Sequence, residues 1–288
     1  MSKYGTFSES KREFIINRPD TPRPWINYLC NRDGRYVSLL SANAGGYSFI
    51  GCPKDGRITR WRYNSLPDDR PGRYLYVKSL EDNDFWTLSW QPTAKPVEHY
   101  RVTHGLGYTT FACDYHEVEA EATYFVPLDD SLEMWQVSLR NTADKTQHLE
   151  LYPFAEMCLG HALIDLINKP NDQHFNRLWF REDVNALFST KTYWVTGDSA
   201  NIQENKSWDK VAFMASSLPV AAYAGEREVF FGPYRAEHNP VAVEPGTLQS
   251  AAVSCGNLVS CLRHSITFAP GESLEFHILL GVADKKEG

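Results

Sequence analysis

The sequence predicts an all-β protein, a large sandwich of antiparallel strands with long loops, and three observations carry that prediction. Short runs rich in β-branched and aromatic residues recur between Gly, Pro, Asn and Asp turn signals along nearly all of the 288 residues. The run Glu117 to Phe125 alternates charged with small or apolar side chains, as a strand with one wet face does. No window approaches the ~20 apolar residues of a membrane-spanning helix. All-β sandwiches of this size form one domain. Residues 1–280 are assigned to it, and residues 281–288 to the start of a linker.

In order, Arg12 to Asn17, Tyr36 to Ser41, Gly46 to Ile50, Arg73 to Val77, Phe85 to Trp90, Tyr100 to Thr103 and Gly107 to Cys113 each have strand length and composition. Glu133 to Arg140 sets apolar Met134, Trp135, Val137 and Leu139 against polar partners. The turn at residues 141–145 then leads to His148 to Phe154, and the pair reads as a hairpin. Leu258 to Ala269, the turn Pro270-Gly271 and Ser273 to Val282 read as a second hairpin. Two segments break the rhythm. Met157 to Asn176 has a helix-compatible start and reads as a long excursion, the kind of loop that carries function. Glu226 to Glu244 is rich in Gly, Pro, Asn and His and reads as irregular backbone.

Composition narrows the function classes. A net charge of −7 argues against a nucleic-acid binder, which needs a basic face. The start of the chain has no basic and apolar leader, so the expected location is cytoplasmic and no membrane is involved. Six scattered cysteines without a CxxC pair read as reduced thiols. The nine histidines show no metal-ligand spacing, so no metal and no cofactor are expected. Asp129-Asp130 are adjacent and point to opposite faces of a strand, which makes them turn residues and not paired catalytic acids. His104 to Gly107 lacks the third glycine of a dinucleotide fingerprint and sits between strands, so its glycines set a turn.

Several runs together carry a resemblance. They are Arg18 to Leu29 (RPDTPRPWINYL), Ala44 to Phe49 (AGGYSF), Arg57 to Asn64 (RITRWRYN), Leu66 to Tyr74 (LPDDRPGRY), His104 to Thr109 (HGLGYT), Thr123 to Asp130 (TYFVPLDD), His174 to Arg177 (HFNR) and Phe231 to Arg235 (FGPYR) with Asn239-Pro240. In this order and spacing, they resemble glycoside hydrolase family 94, the phosphorylases of cellobiose, cellobionic acid and cellodextrins. The resemblance implies a super-sandwich that complete enzymes follow with linker helices and a catalytic (α/α)6 barrel, which this chain lacks. It implies inverting cleavage of a β-1,4-glucosyl disaccharide by inorganic phosphate, the co-substrate, to give α-glucose 1-phosphate. The general acid is an aspartate of the barrel, so no residue of this chain is assigned a catalytic role. It also implies a homodimer and, as partner, a barrel domain of the same polypeptide.

The family places a loop of pattern Asn-Phe-Gln-Arg near the acceptor sugar, and His174, Phe175, Asn176 and Arg177 match it with two departures. Arg177 offers a planar fork of donors for hydroxyls or a carboxylate, and Phe175 an apolar face for a pyranose. Asn176 shortens the family's amide arm by one methylene, which leaves the acceptor open between glucose, gluconate and a longer oligosaccharide. In the run Arg57 to Asn64, Trp61 and Tyr63 fall on one strand face and Arg60 and Arg62 on the other, suited to cation–π or carboxylate contacts at a domain or dimer interface. The alternative to a phosphorylase domain is a stand-alone carbohydrate-binding or assembly module without catalysis.

Overall fold

In the computed structural model, which describes residues 2–62, 69–167, 173–196 and 203–285, twenty strands among those residues form two sheets, and every strand pair is antiparallel. The first sheet runs β1 (Gly5–Phe7), β2 (Phe14–Ile16), β9 (Glu98–Gly105), β10 (Tyr108–Tyr115), β11 (Val118–Phe125), β12 (Leu132–Asn141), β20 (Ser273–Asp284), β17 (Lys210–Ser216), β15 (Ala186–Thr196) and β14 (Asn176–Arg181), with β16 (Gln203–Ser207) beside β15. The second runs β18 (Ala222–Glu226), β19 (Leu258–Phe268), β13 (Gln147–Gly160), β6 (Arg57–Thr59), β5 (Ser48–Ile50), β4 (Tyr36–Ser41) and β3 (Ile26–Cys30). There β7 (Arg73–Ser79) pairs with β13 and β8 (Phe85–Thr87). The sandwich read from the sequence is the fold.

The alternation at 117–125 behaves as expected, with Val118, Ala120, Ala122 and Tyr124 buried while Glu119 and Glu121 are exposed. In β12 the inward set is Glu133, Trp135, Val137 and Leu139, so an inward glutamate stands where the apolar pattern puts Met134. The inner faces meet in one continuous core that includes Trp135, Phe111 and Ile278 from the first sheet and Tyr36, Leu75 and Val77 from the second. Burying such large apolar side chains is the main favourable term, of order 1.5–3 kcal/mol each.

Neither expected hairpin exists. β12 pairs with β11 and β20 in the first sheet, whereas β13 belongs to the second. Likewise β19 lies in the second sheet and β20 in the first. Each short turn carries the chain across the sandwich. Buried Asn141 ties the two crossings together: its Nδ2 donates to Lys145 O (2.9 Å), Phe268 O (3.0 Å) and Ala269 O (3.1 Å). Its Oδ1 accepts from the Ala143 amide at 2.9 Å. Satisfying these buried carbonyls from one side chain lets both turns leave the plane of their sheets without orphaned polar groups.

Two boundaries also differ from the sequence reading. β13 runs to Gly160, so the excursion begins four residues later than Met157. β20 runs to Asp284 because it pairs with β17 as far as Lys210, so the limit at residue 280 falls inside a strand. Residues 286–288 of the expected linker lie outside the described residues. The irregular segment after β18 holds a short helix, α2 (Arg227–Phe231). It covers the outer side of β7 and β13: Phe230 stacks on Phe154 (4.5 Å between centroids), Tyr76 Oη donates to Glu237 O at 2.8 Å, and Lys78 Nζ donates to Glu244 O at 3.0 Å. This cover is why β13 is buried on both faces from Leu151 to Gly160.

Asp84 closes the far edge, accepting from Lys95 Nζ (2.5 Å), Tyr115 Oη (3.1 Å) and His116 Nε2 (3.1 Å). Burial works to raise its carboxyl, but the hydrogen bonds from Lys95, His116 and the Phe85 amide outweigh it and hold it down to about 2. A folded pKa below the unfolded one gives stability that is complete above the ordinary Asp range and lost as pH falls through about 2. Urea midpoints of the wild-type chain and Asp84→Asn are therefore expected to differ by a constant amount above about pH 5 and to converge below about pH 4. A gap that persists undiminished to pH 2 contradicts this.

Candidate functional site

The excursion leaves β13 into α1 (Ala162–Ile167) and returns through a 3₁₀ turn (Gln173–Phe175) into β14. Both ends are pinned. At the start, Arg60 grips Asp165 with two bonds (Nε 2.8 Å, Nη2 2.7 Å), and Lys191 Nζ lies 3.5 Å from the same carboxylate. At the return, Asn176 Nδ2 donates to Gly256 O at 2.7 Å while the Gly256 amide donates to Gln173 O at 2.8 Å. Gly256 has φ +145°, and a Cβ there would sit 3.2 Å from the Glu226 side chain, so glycine is required. Leu178 and Val253 exchange two backbone hydrogen bonds of 2.9 Å, seating the return strand on residues 253–257.

Glu156, only 1% exposed, lies at the centre of this end of the sandwich. It accepts Arg62 Nη2 (2.8 Å), Arg227 Nε (3.1 Å) and Arg60 Nη1 (3.4 Å). Burial alone would raise its carboxyl, but the Arg62, Arg60 and Arg227 guanidiniums hold it below the ordinary range. Arg62 also reaches Glu237 at 3.5 Å. Arg60 and Arg62 thus make the carboxylate contacts read from the sequence, but within one domain. Tyr63 lies outside the described residues. Arg227 hands the arrangement on through its amide to Asn257 O (2.7 Å), next to Gly256. The runs 57–62, 174–177 and 226–235, far apart in sequence, are thereby brought to one end of the molecule.

On that frame His174 and Arg177 are exposed and Phe175 is half-buried. Arg177 Nη1 donates to Asn176 O (2.9 Å), His174 O (3.5 Å) and Ser254 O, which holds the side chain against the turn. Among the described residues its Nε and Nη2 make no hydrogen bond. His174 Nδ1 lies 3.5 Å from Cys255 Sγ. Asn176 is placed differently from the other three. At 5% exposure its amide is turned inward onto Gly256, and among the described residues its Oδ1 has no partner. It positions the loop. The supporting residues 254–257 (SCGN) escaped the sequence reading, where they are only a turn-like cluster ahead of β19.

With this geometry in hand, comparison with known proteins identifies the fold and the family. The family model described as the glycosyl hydrolase 94 supersandwich domain matches residues 12–288. The N,N'-diacetylchitobiose phosphorylase of Vibrio proteolyticus is 36% identical over 282 residues, covering 97% of this chain and 33% of the relative. The solabiose phosphorylase of Paenibacillus borealis is 29% identical over 289 residues, covering 100% of this chain and 36% of its own. Among solved structures, a putative kojibiose phosphorylase from the human microbiome shares the fold with a TM-score of 0.51 at 10% identity, over 99% of this chain and 34% of that one. The chain spans about a third of the length of the curated relatives it matches. It belongs to the supersandwich domain of glycoside hydrolase family 94.

Proposed function

We propose that this domain is the amino-terminal part of an inverting glycoside phosphorylase that cleaves a β-1,4-linked disaccharide with inorganic phosphate, and that it contributes to the acceptor subsite and to a homodimer in the cytoplasm. The observation that carries the reading is similarity over 97% of the chain to relatives named as disaccharide phosphorylases. In the reaction a phosphate oxygen attacks C1 of the non-reducing sugar, the C1–O4 bond breaks with inversion, and a carboxylic acid protonates the departing O4. That acid belongs to a barrel domain of the same polypeptide. The part played by this chain is orientation: Arg177 donates from Nε and Nη2 to the acceptor, Phe175 packs under its ring, His174 borders it, and Asn176 holds the turn.

A guanidinium fork suits hydroxyls and a carboxylate alike, so glucose (from cellobiose) and gluconate (from cellobionic acid) both fit. The Vibrio relatives' name adds N-acetylglucosamine to the acceptors worth testing. In phosphate-release assays on the polypeptide that carries this domain, α-glucose 1-phosphate and α-N-acetylglucosamine 1-phosphate are each offered with the three acceptors. Arg177→Ala is expected to raise the acceptor KM about 10- to 100-fold, the loss of one charge-assisted contact, with a smaller change in kcat. An unchanged acceptor KM removes Arg177 from the subsite. No phosphate-dependent turnover with any pair overturns the phosphorylase reading in favour of a binding module.

A further inference from the structure

A cavity of about 290 Å³ opens beside β3, β4 and the residues that lead into β5, and shares no residue with the 174–177 turn. Its walls are Pro24, Ile26, Leu39, Tyr47 and Trp61, Arg23 stands at its mouth, and Asp69 with Ser41 forms its floor. Strand pairing explains the apolar walls. Tyr28 lies opposite Leu39 in the β3–β4 ladder, and the Leu39 amide donates to Tyr47 O at 2.9 Å. Side chains of one sheet face therefore line up across three strands, and Ile26 and Tyr28 remain 49% and 66% exposed. Tyr47 is fixed from one side by the Arg57 guanidinium, 3.7 Å from its ring centroid, and its ring lies 6.2 Å from that of Trp61.

The floor is built at some cost. Asp69 is only 4% exposed and adopts φ +55°, a left-handed conformation that is uncommon for a residue with a side chain. A Cβ on Gly45 would sit 2.2 Å from Asp69 Oδ2, so the carboxylate occupies space that only glycine leaves open. Trp61 Nε1 donates to Oδ1 at 3.3 Å, whereas among the described residues Oδ2 accepts no hydrogen bond. Burial raises the Asp69 carboxyl above its ordinary range, opposed by the Ser41 hydroxyl, the Trp61 N–H and the Arg73 charge. A buried carboxylate oxygen left without a donor is costly, and in native proteins it usually awaits a partner.

We infer that this cavity is a second sugar site, which takes one neutral hexopyranose with a hydroxyl donating to Asp69 Oδ2 and a C–H face of the ring packed on Trp61 and Tyr47. Aromatic walls with one aimed polar group are the pattern of a small-molecule pocket, and the volume sits at the lower end of that class. A bare cation would find one carboxylate among apolar walls and too few oxygen ligands. A planar apolar ligand would leave Oδ2 unsatisfied. The site binds sugar whether or not the longer polypeptide is a phosphorylase, because it needs no turnover.

Calorimetric titration of the full 288-residue chain with methyl β-glucoside and with N-acetylglucosamine tests the site directly. Saturable binding with a Kd of order 1 mM is expected, weakened at least about tenfold in Asp69→Asn. Arg177→Ala, which alters only the 174–177 turn, is expected to retain the saturable binding that Asp69→Asn weakens. Because Asp69 is buried, its variant is paired with Ile26→Arg, on an exposed position of an edge strand, which presents a guanidinium to Oδ2 and fills the mouth; binding is expected to vanish. The proposal is overturned if neither sugar binds saturably at concentrations of order 50 mM. It is equally overturned if binding survives Ile26→Arg undiminished, or is lost in Arg177→Ala while Ile26→Arg retains it.

Discussion

Glu156→Ala is expected to lower the thermal midpoint of the domain by about 10 °C or more, or to prevent folding outright. The carboxylate is buried and receives Arg60, Arg62 and Arg227 together. Arg60 keeps Asp165 and Arg62 keeps Glu237, but the three guanidiniums would then converge on a void with no anion between them. Removing one partner of a buried ion pair costs about 3–5 kcal/mol, and here one removal takes the carboxylate from Arg227 and one of two carboxylates from each of Arg60 and Arg62, against a total stability of about 5–15 kcal/mol. Glu156→Gln preserves the shape and is expected to recover little, since charge is what is missing. The wild-type advantage is complete above the ordinary glutamate range and falls away as pH drops through the depressed native value. Thermal unfolding followed by circular dichroism measures it, and a Glu156→Ala midpoint within about 2–3 °C of wild type would sink the argument.

A different response is expected where a buried pair joins the two sheets. Arg73 in β7 and Glu133 in β12 are each 1% exposed, with Nε and Oε1 2.9 Å apart. Arg73 Nη2 also donates to Leu39 O (2.6 Å) and Ser38 Oγ (3.2 Å), and Trp135 Nε1 donates to Glu133 Oε1 (3.0 Å). Among the described residues Arg73 Nη1 and Glu133 Oε2 have no hydrogen-bond partner, so the pair is incompletely satisfied there. Arg73→Met strands an anion in the core, and Glu133→Leu strands a cation; each is expected to cost about 3–5 kcal/mol. The double substitution removes both charges and is expected to lie within about 1–2 kcal/mol of wild type, a coupling of several kcal/mol in the double-mutant cycle. Simple additivity of the two single losses would show that the charges are not each other's compensation.

Glu133 also marks where local pattern stops being informative. Alternation placed the strand 133–140 correctly, but the inward register puts a glutamate beside Trp135 and turns Met134 outward, because Arg73 arrives from the opposite sheet to meet it. No property of the 133–140 run announces that partner. Asn176 is a parallel case. Its place in the motif HFNR suggested an arm reaching for a ligand, yet Gly256, eighty residues away, takes its amide and turns it inward.

The sequence alone determined the class of fold, most strand positions, the wet face of β11 and, through its collinear motifs, the family. These are local properties: a period of two along the chain, turn residues at strand ends, and short motifs that stay legible wherever the chain goes. Only the tertiary structure decided which sheet each strand joins. A five-residue turn after Arg140 and a Pro-Gly turn after Ala269 look like hairpin loops in one dimension, but each crosses the sandwich because Asn141 supplies the hydrogen bonds that a coplanar pair of strands would have supplied. The unpartnered oxygen of Asp69 and the three arginines around Glu156 belong to the same category. The arginines reach Glu156 from 71 to 96 positions away, and pairing at that range is set by the packing of the whole core and not by the composition of any segment.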